Sequence, residues 1–231
     1  YGRTEGEIDT VRAIARSTDT FFYKVGELVG AERLAFWARK FGLGQDSGID
    51  LLGEVSGLVP DPEWKLKTKG ERWFLGNTYH MAIGQGDVAA SPLQVNSMTT
   101  VVANGGKRCR PKVEKVDESS ESRKGCEELG LKEGTLQEIA EGTKGACATG
   151  GTAFPFFNFE PRLACKTGTA QTVGEKTHAW LTAFGPLQGD PLQAQNADKA
   201  IAITALIEEG GEGSKIAAPV VRQVLQKWFA P

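Results

Sequence analysis

Ala179-Trp180-Leu181-Thr182-Ala183-Phe184, closed by Gly185-Pro186, is the stretch whose reading decides the fold. It carries no charge and ends at a strong turn signal, so it reads as a β-strand. Arg162 to Lys166 reads as a strand before it, and Lys199 to Glu208 as one after it. The third has an unbroken apolar run, which implies burial on both faces. Gly210-Gly211-Glu212-Gly213 then turns the chain. Pro219 is expected to begin a terminal helix with Val220, Val221, Val224, Leu225 and Trp228 on one face. Successive strands with short links favour an antiparallel sheet, here backed by that helix.

Upstream of the strands the pattern is helical. Residues 7 to 42 read as helix: Asp9 is the candidate cap, and Val11, Ile14, Ala15, Phe21 and Phe22 form the apolar face. Gly30 reads as a stop, Glu32 to Lys40 as a restart, and Gly42 and Gly44 as its end. Residues 43 to 80 read as loop-rich, with a short strand at Gly48-Ile49-Asp50-Leu51 and a turn at Pro60-Asp61-Pro62. Ser91 and Pro92 are the cap and first residue of a helix that Asn104-Gly105-Gly106 ends. Residues 107 to 130 read as an exposed polar excursion, and Leu136 to Lys144 as a further helix. Helices first and strands last indicate the α+β class: an antiparallel sheet flanked by helices.

The chain has 231 residues, 40% of them hydrophobic, and a formal net charge of −2. Such a balance excludes wholesale disorder and provides no electrostatic case for nucleic acid or an anionic membrane surface. Trp64, Trp73 and Tyr79 interleave with Lys65, Lys67, Lys69 and Arg72, which is read as a solvated loop with aromatic anchors. No run approaches the roughly 18 apolar residues of a membrane helix. The first residue is Tyr1, so the sequence reads as a processed or trimmed product with any anchor or signal upstream. Cys109, Cys126, Cys147 and Cys165 include no CxxC pair and lie far in sequence from His80 and His178, so no metal site is expected. They are either buried thiols or two short disulfide loops, Cys109–Cys126 and Cys147–Cys165, with separations of 17 and 18 residues. Loops of that size stabilise by roughly 3 kcal/mol in the chain-entropy picture. If they form, the protein folds in an oxidising compartment.

The segment richest in chemistry is Lys166-Thr167-Gly168-Thr169-Ala170, placed at the end of the first predicted strand. A lysine supplies fixed charge, two threonines supply hydroxyls, and Gly168 lets a ligand backbone come close. A strand edge of this kind can pair with an extended peptide while the hydroxyls hold its carboxylate. Ser17-Thr18-Asp19 lies far upstream and reads, by itself, as a helix end or cap.

Taken together and in order, these elements resemble the transpeptidase domain of class B penicillin-binding proteins, most of all the elongation-type penicillin-binding protein 2 group. The resemblance is carried by Ser17-Thr18-Asp19-Thr20-Phe21-Phe22-Tyr23, Gly84-Gln85-Gly86 through Ser91-Pro92-Leu93-Gln94, Asn104-Gly105-Gly106 and Lys166 to Gln171. It implies a serine β-lactamase-like fold, incomplete at its N-terminal side. A mainly helical part (1–160) would carry the second motif, and a part with the sheet (161–231) the Lys-Thr-Gly motif.

The family signature opens with Ser-x-x-Lys, whose serine is the nucleophile. No serine in this sequence has a lysine three positions on, and only 16 residues precede Ser17. The expectation is therefore truncation, with the nucleophile on a front portion missing from this sequence; a pseudoenzyme is the alternative.

The resemblance implies that the intact enzyme acylates its serine with the D-Ala-D-Ala end of a peptidoglycan stem peptide. An amine from a neighbouring stem then resolves the acyl-enzyme. β-Lactam antibiotics mimic the dipeptide. Ser17 would relay a proton, and Lys166 would supply charge. Thr167 and Thr169 would bind the substrate carboxylate, with Gly168 and Ala170 in the same strand edge, and the Thr169 N–H would form half the oxyanion hole. Asp19 stands where Asn is common in the family, and its expected part is to orient the lysine of the missing motif. His178 is expected to be structural or to touch the substrate edge. No cofactor is implied. Implied partners are stem peptides, β-lactams, a glycosyltransferase of the elongation machinery and the missing N-terminal part. The implied location is the extracytoplasmic face of a bacterial cell membrane. A non-catalytic β-lactam or muropeptide sensor, and a D,D-carboxypeptidase or β-lactamase, are the competing readings on the same scaffold.

Overall fold

A computed structural model describes residues 5–114, 125–187 and 199–230. They fall into two compact units: residues up to Thr18 with those from Lys132 onward, and Asp19–Leu131.

The first unit holds α1 (Thr10–Arg16), α7 (Glu133–Cys147), a 3-10 turn (Phe154–Phe156), β3 (Ala164–Gln171), β4 (Thr177–Gly185), β5 (Ile201–Ile207) and α8 (Ala217–Trp228). The strands form an antiparallel sheet in the order β3-β4-β5, with Thr167 opposite Leu181 and Leu181 opposite Ala205. One face of the sheet is core. Cys165, Ala179, Leu181 and Ala183 cluster with Ala146 and Cys147 of α7, with Phe156 and Phe159, and with Val221 and Leu225 of α8. Each fully buried large aliphatic side chain here contributes roughly 1.5–3 kcal/mol.

α1 lies against α7 with little between them. Its Ala13 and Ala15 are buried. Gly142 and Gly145 of α7 provide the room: a Cβ at Gly142 would sit 2.6 Å from Ile14 Cβ, and one at Gly145 2.9 Å from Ala15 Cβ. Asp9 caps α1 through a 2.7 Å bond from the Arg12 N–H, as its side-chain chemistry predicts.

The second unit holds α2 (Asp19–Val29), α3 (Ala31–Lys40), α4 (Pro62–Lys69), α5 (Leu75–Ala82), α6 (Pro92–Ala103), β1 (Lys107–Cys109) and β2 (Cys126–Glu128). β1 and β2 pair antiparallel, Cys109 opposite Cys126. Gln94 on α6 is only 1% exposed, and its amide holds three loop groups. Nε2 donates to Gln45 O (2.8 Å) and Ser56 O (2.7 Å), while Oε1 accepts from the Ser91 N–H (2.9 Å). Gly57 must lack a side chain here, because a Cβ would meet Ala89 O at 2.3 Å.

Several expectations are corrected. Residues 43 to 80 are loop-rich as expected, but they also hold α4 and most of α5. Asp61 accepts from the Trp64 N–H (2.8 Å) as N-cap of α4 with Pro62 in the first turn, so the proline pair starts a helix instead of marking a bare turn. The interleaved lysines pack on aromatic faces: Lys65 over Phe74 (5.2 Å) and Lys69 over Trp64 (5.5 Å). Gly48–Leu51 is not a strand, since the Ser47 and Gly48 N–H groups bond the Glu54 carboxylate (2.6 and 3.1 Å) instead of a ladder partner. The helix expected over 7–42 stops at Gly30 as predicted, but it also breaks at Ser17. β3 runs on to Gln171, so the Lys-Thr-Gly segment lies inside the strand and not at its end. β5 is half-buried along its length because it is the last strand of the order, not a strand sandwiched on both faces. α8 starts at Ala217. Its buried face is Ala217, Ala218, Val221 and Leu225, whereas Val220, Val224 and Trp228 are 45, 48 and 46% exposed.

Both cysteine pairs are disulfides, Cys109–Cys126 and Cys147–Cys165. Residues 115–124 of the predicted excursion lie outside the described residues.

The two kinds of glycine on α7 make opposite predictions. Gly142→Ala forces a methyl into Ile14 and is expected to destabilise by roughly 1–3 kcal/mol. Gly134, with nothing within 4 Å of its would-be Cβ, should gain about 0.5 kcal/mol on replacement by Ala. Urea denaturation of the two variants checks both signs.

Candidate functional site

β3 is hydrogen-bonded only to β4 among the described residues, so its other side is an open edge. Along this edge the structure places Lys166, Thr167, Gly168, Thr169 and Ala170.

Ser17 reaches the same place from α1. The helix ends in a 6→1 and 5→2 pair of bonds: the Thr18 N–H to Ala13 O (3.0 Å) and the Ser17 N–H to Ile14 O (3.2 Å). Ser17 itself is left-handed, with φ 54° and ψ 53°. Glycine usually fills this position; an L-residue costs about 1–2 kcal/mol. The turn presents the Ser17 hydroxyl to Lys166, whose Nζ donates to Ser17 Oγ at 2.7 Å and to Thr167 O at 2.8 Å. Because the ammonium occupies an oxygen lone pair, the hydroxyl proton of Ser17 is left to be donated onward.

The threonines are each engaged. Thr167 Oγ1 lies 2.8 Å from Thr152 Oγ1, and Thr169 Oγ1 accepts from the Gly213 N–H at 3.4 Å. Gly213 closes on the strand so tightly that a Cβ there would lie 2.3 Å from Gly168 O and 2.2 Å from Trp180 O. Gly168 thus accommodates a segment of its own chain. Ala170 sits opposite His178. His178 Nδ1 accepts from the Glu209 N–H (3.0 Å), a contact that holds the loop after β5. Asp19 is the exposed first residue of α2 and belongs to the other unit.

Two further contacts fix the geometry. The Cys147–Cys165 disulfide joins the last residue of α7 to the residue before Lys166. Arg16, next to Ser17, donates to Gly150 O (2.6 Å) and to Glu5 (2.9 Å), and that hydrogen bond holds the Glu5 carboxyl below its ordinary range. Arg16, Thr152 and Gly213 escape the sequence reading because their partners are remote in the chain. The glycines of α7 had a readable signal: i, i+3 spacing on a predicted helix, which puts both on one face.

Two cavities, about 330 and 790 Å³, are lined by neither Ser17 nor Lys166. The candidate site lies along the open side of β3. Among the described residues no group of three His, Cys, Asp or Glu side chains is placed to hold a metal, and no helix is long and apolar enough to cross a membrane.

Comparison with known proteins gives a consistent result. The family model for the penicillin binding protein transpeptidase domain matches residues 1–226. The peptidoglycan D,D-transpeptidase MrdA of Haemophilus influenzae is 34% identical over 249 aligned residues, covering 97% of this chain and 37% of that protein. Penicillin-binding protein 2 of Pseudomonas aeruginosa, solved in complex with WCK 5153, superposes with a TM-score of 0.85 at 32% identity. That match covers 98% of this chain and 48% of the other. Penicillin-binding protein 2 of Helicobacter pylori, solved in complex with MreC, gives 0.81 at 33% identity, covering 97% of this chain and 41% of the other. The chain thus spans well under half the length of the curated relative.

Ser17 sets backbone comfort against its hydroxyl. Ser17→Gly and Ser17→Ala both lose the Lys166 contact, but only glycine relieves the left-handed strain, so the glycine variant should be the more stable of the two by about 1–2 kcal/mol. Thermal unfolding of the two variants checks the order.

Proposed function

The chain belongs to the penicillin-binding protein transpeptidase domain family, and from that premise we propose that it supplies part of the active site of a peptidoglycan D,D-transpeptidase. The observation that carries the reading is the Lys166 ammonium 2.7 Å from the Ser17 hydroxyl, beside a strand edge able to take an extended peptide.

The proposed reaction has two steps. A serine oxygen outside these 231 residues attacks the carbonyl carbon between the two D-alanines of a stem peptide. The C–O bond forms and the C–N bond to the terminal D-alanine breaks. The serine proton reaches the departing nitrogen through the lysine of the Ser-x-x-Lys motif and Ser17. An amine of a neighbouring stem then attacks the ester carbon, the new C–N bond forms, and the serine oxygen leaves with the amine's proton.

Lys166 keeps Ser17 aligned for this relay and draws the substrate carboxylate. The hydroxyls of Thr167 and Thr169 bind that carboxylate, while Gly168 and Ala170 continue the edge beside the peptide. The Thr169 N–H supplies half of the oxyanion hole, and the other half lies at the serine. Asp19 orients the lysine of the Ser-x-x-Lys motif.

The proposed setting is the extracytoplasmic face of a bacterial membrane, with an anchor outside this sequence and a glycosyltransferase as working partner. The two disulfides suit that compartment. β-Lactams would acylate the same serine.

Fluorescent penicillin tests the assignment. The complete protein should form a covalent adduct, and Lys166→Ala should slow its formation by roughly 10²-fold or more. The isolated 231-residue chain should form none. A stable adduct on it would overturn the placement of the nucleophile, and label that turns over to water faster than to an added amine would favour a hydrolase.

A further inference from the structure

We propose that Thr152 is a positioning residue for the hydroxyl of Thr167, forming with it a two-hydroxyl relay that selects an anionic ligand. The proposal rests on the reading above, in which Thr167 binds the substrate carboxylate.

The two Oγ1 atoms are 2.8 Å apart, so one hydroxyl donates to the other. A carboxylate only accepts. With an anion at Thr167, its single proton must point at the ligand, and Thr152 must then donate to Thr167. The ligand thereby sets the direction of the pair, and each bond polarises the next. A neutral acceptor such as an ester carbonyl sets the same direction but polarises the pair more weakly, because it carries no charge.

Thr152 is held to this task by its backbone. The bonds Gly151 N–H to Ala148 O (2.9 Å) and Ala153 N–H to Ala146 O (2.9 Å) pin it on both sides. Gly151 lies so close to the end of α7 that a Cβ would come within 2.3 Å of Gly145 O. Arg16 binds Gly150 O from the residue next to Ser17. One short loop therefore locates the Thr167 hydroxyl and braces the helix end that presents Ser17.

The experiment is the second-order rate of acylation of the complete protein by a penicillin and by its methyl ester. Thr152→Val, which keeps the shape and removes the hydroxyl, should slow the acid by about five- to tenfold and the ester by less than about twofold. Thr152→Ser should restore the rate. In a Thr167→Val background, Thr152→Val should have no further effect. Equal slowing of acid and ester, additive effects in the double variant, or a wild-type rate for Thr152→Val beside a slowed Thr167→Val would each overturn the relay alone. A wild-type rate for Thr167→Val would sink the carboxylate role of Thr167, and the relay with it.

Discussion

Ile14 and Ala15 of α1 rest on a face of α7 that Gly142 and Gly145 leave bare, and the rest of the site depends on that contact. A helix of only seven residues has little stability of its own. It is kept in place by packing, and its end is therefore wherever α7 puts it. α7 in turn is tied to β3 by the Cys147–Cys165 disulfide, one residue from Lys166. The 2.7 Å bond between Lys166 and Ser17 joins residues 149 positions apart because both ends are anchored to the same helix. The left-handed serine is the local cost of turning the chain sharply there, and glycine would remove the hydroxyl that the site needs.

The chemistry gathered at this edge is sparse. One ammonium, the four hydroxyls of Ser17, Thr152, Thr167 and Thr169, and an open strand edge serve it. His178, the only imidazole near the edge, is engaged by the backbone of Glu209. A site of this kind gains specificity from direction. In the proposed function the strand edge would orient a peptide, the hydroxyls would discriminate its acidic end, and the lysine would bias the local potential toward anions.

The second unit obtains its order differently. Besides its buried Val59, Val101 and Leu129, it has Gln94, whose amide makes three hydrogen bonds to loop groups, each stronger for being shielded from water. Lys65, 5% exposed, is kept by Glu71 (3.1 Å), Asn77 (3.0 Å) and the ring of Phe74. Of the lysines in the lysine–aromatic alternation Lys65 is buried, while Lys67, Lys69 and Arg72 remain exposed.

Much of this was legible in the residues themselves. The apolar run at 179–184, the Ser91-Pro92 start and the Gly185-Pro186 stop are local signals, and local physics determines them: side-chain alternation, capping oxygens and missing N–H groups. The order of Ser17-Thr18-Asp19 and Lys166-Thr167-Gly168 likewise identified the family. What escaped was whatever depends on a distant partner. The helix at Pro62 is the exception: its start, Asp61-Pro62, is the same local cap-and-proline signal as Ser91-Pro92, and the lysine-rich stretch after it masks the helical pattern. The exposed side of α8 is indistinguishable by periodicity from its buried side, since valines lie on both. Pairing of the four cysteines, the bond between two threonines in different segments and the approach of Gly213 to Gly168 are decided only once the chain is packed. Propensity and caps act within a turn or two of sequence, whereas those contacts exist only when folding brings remote surfaces together.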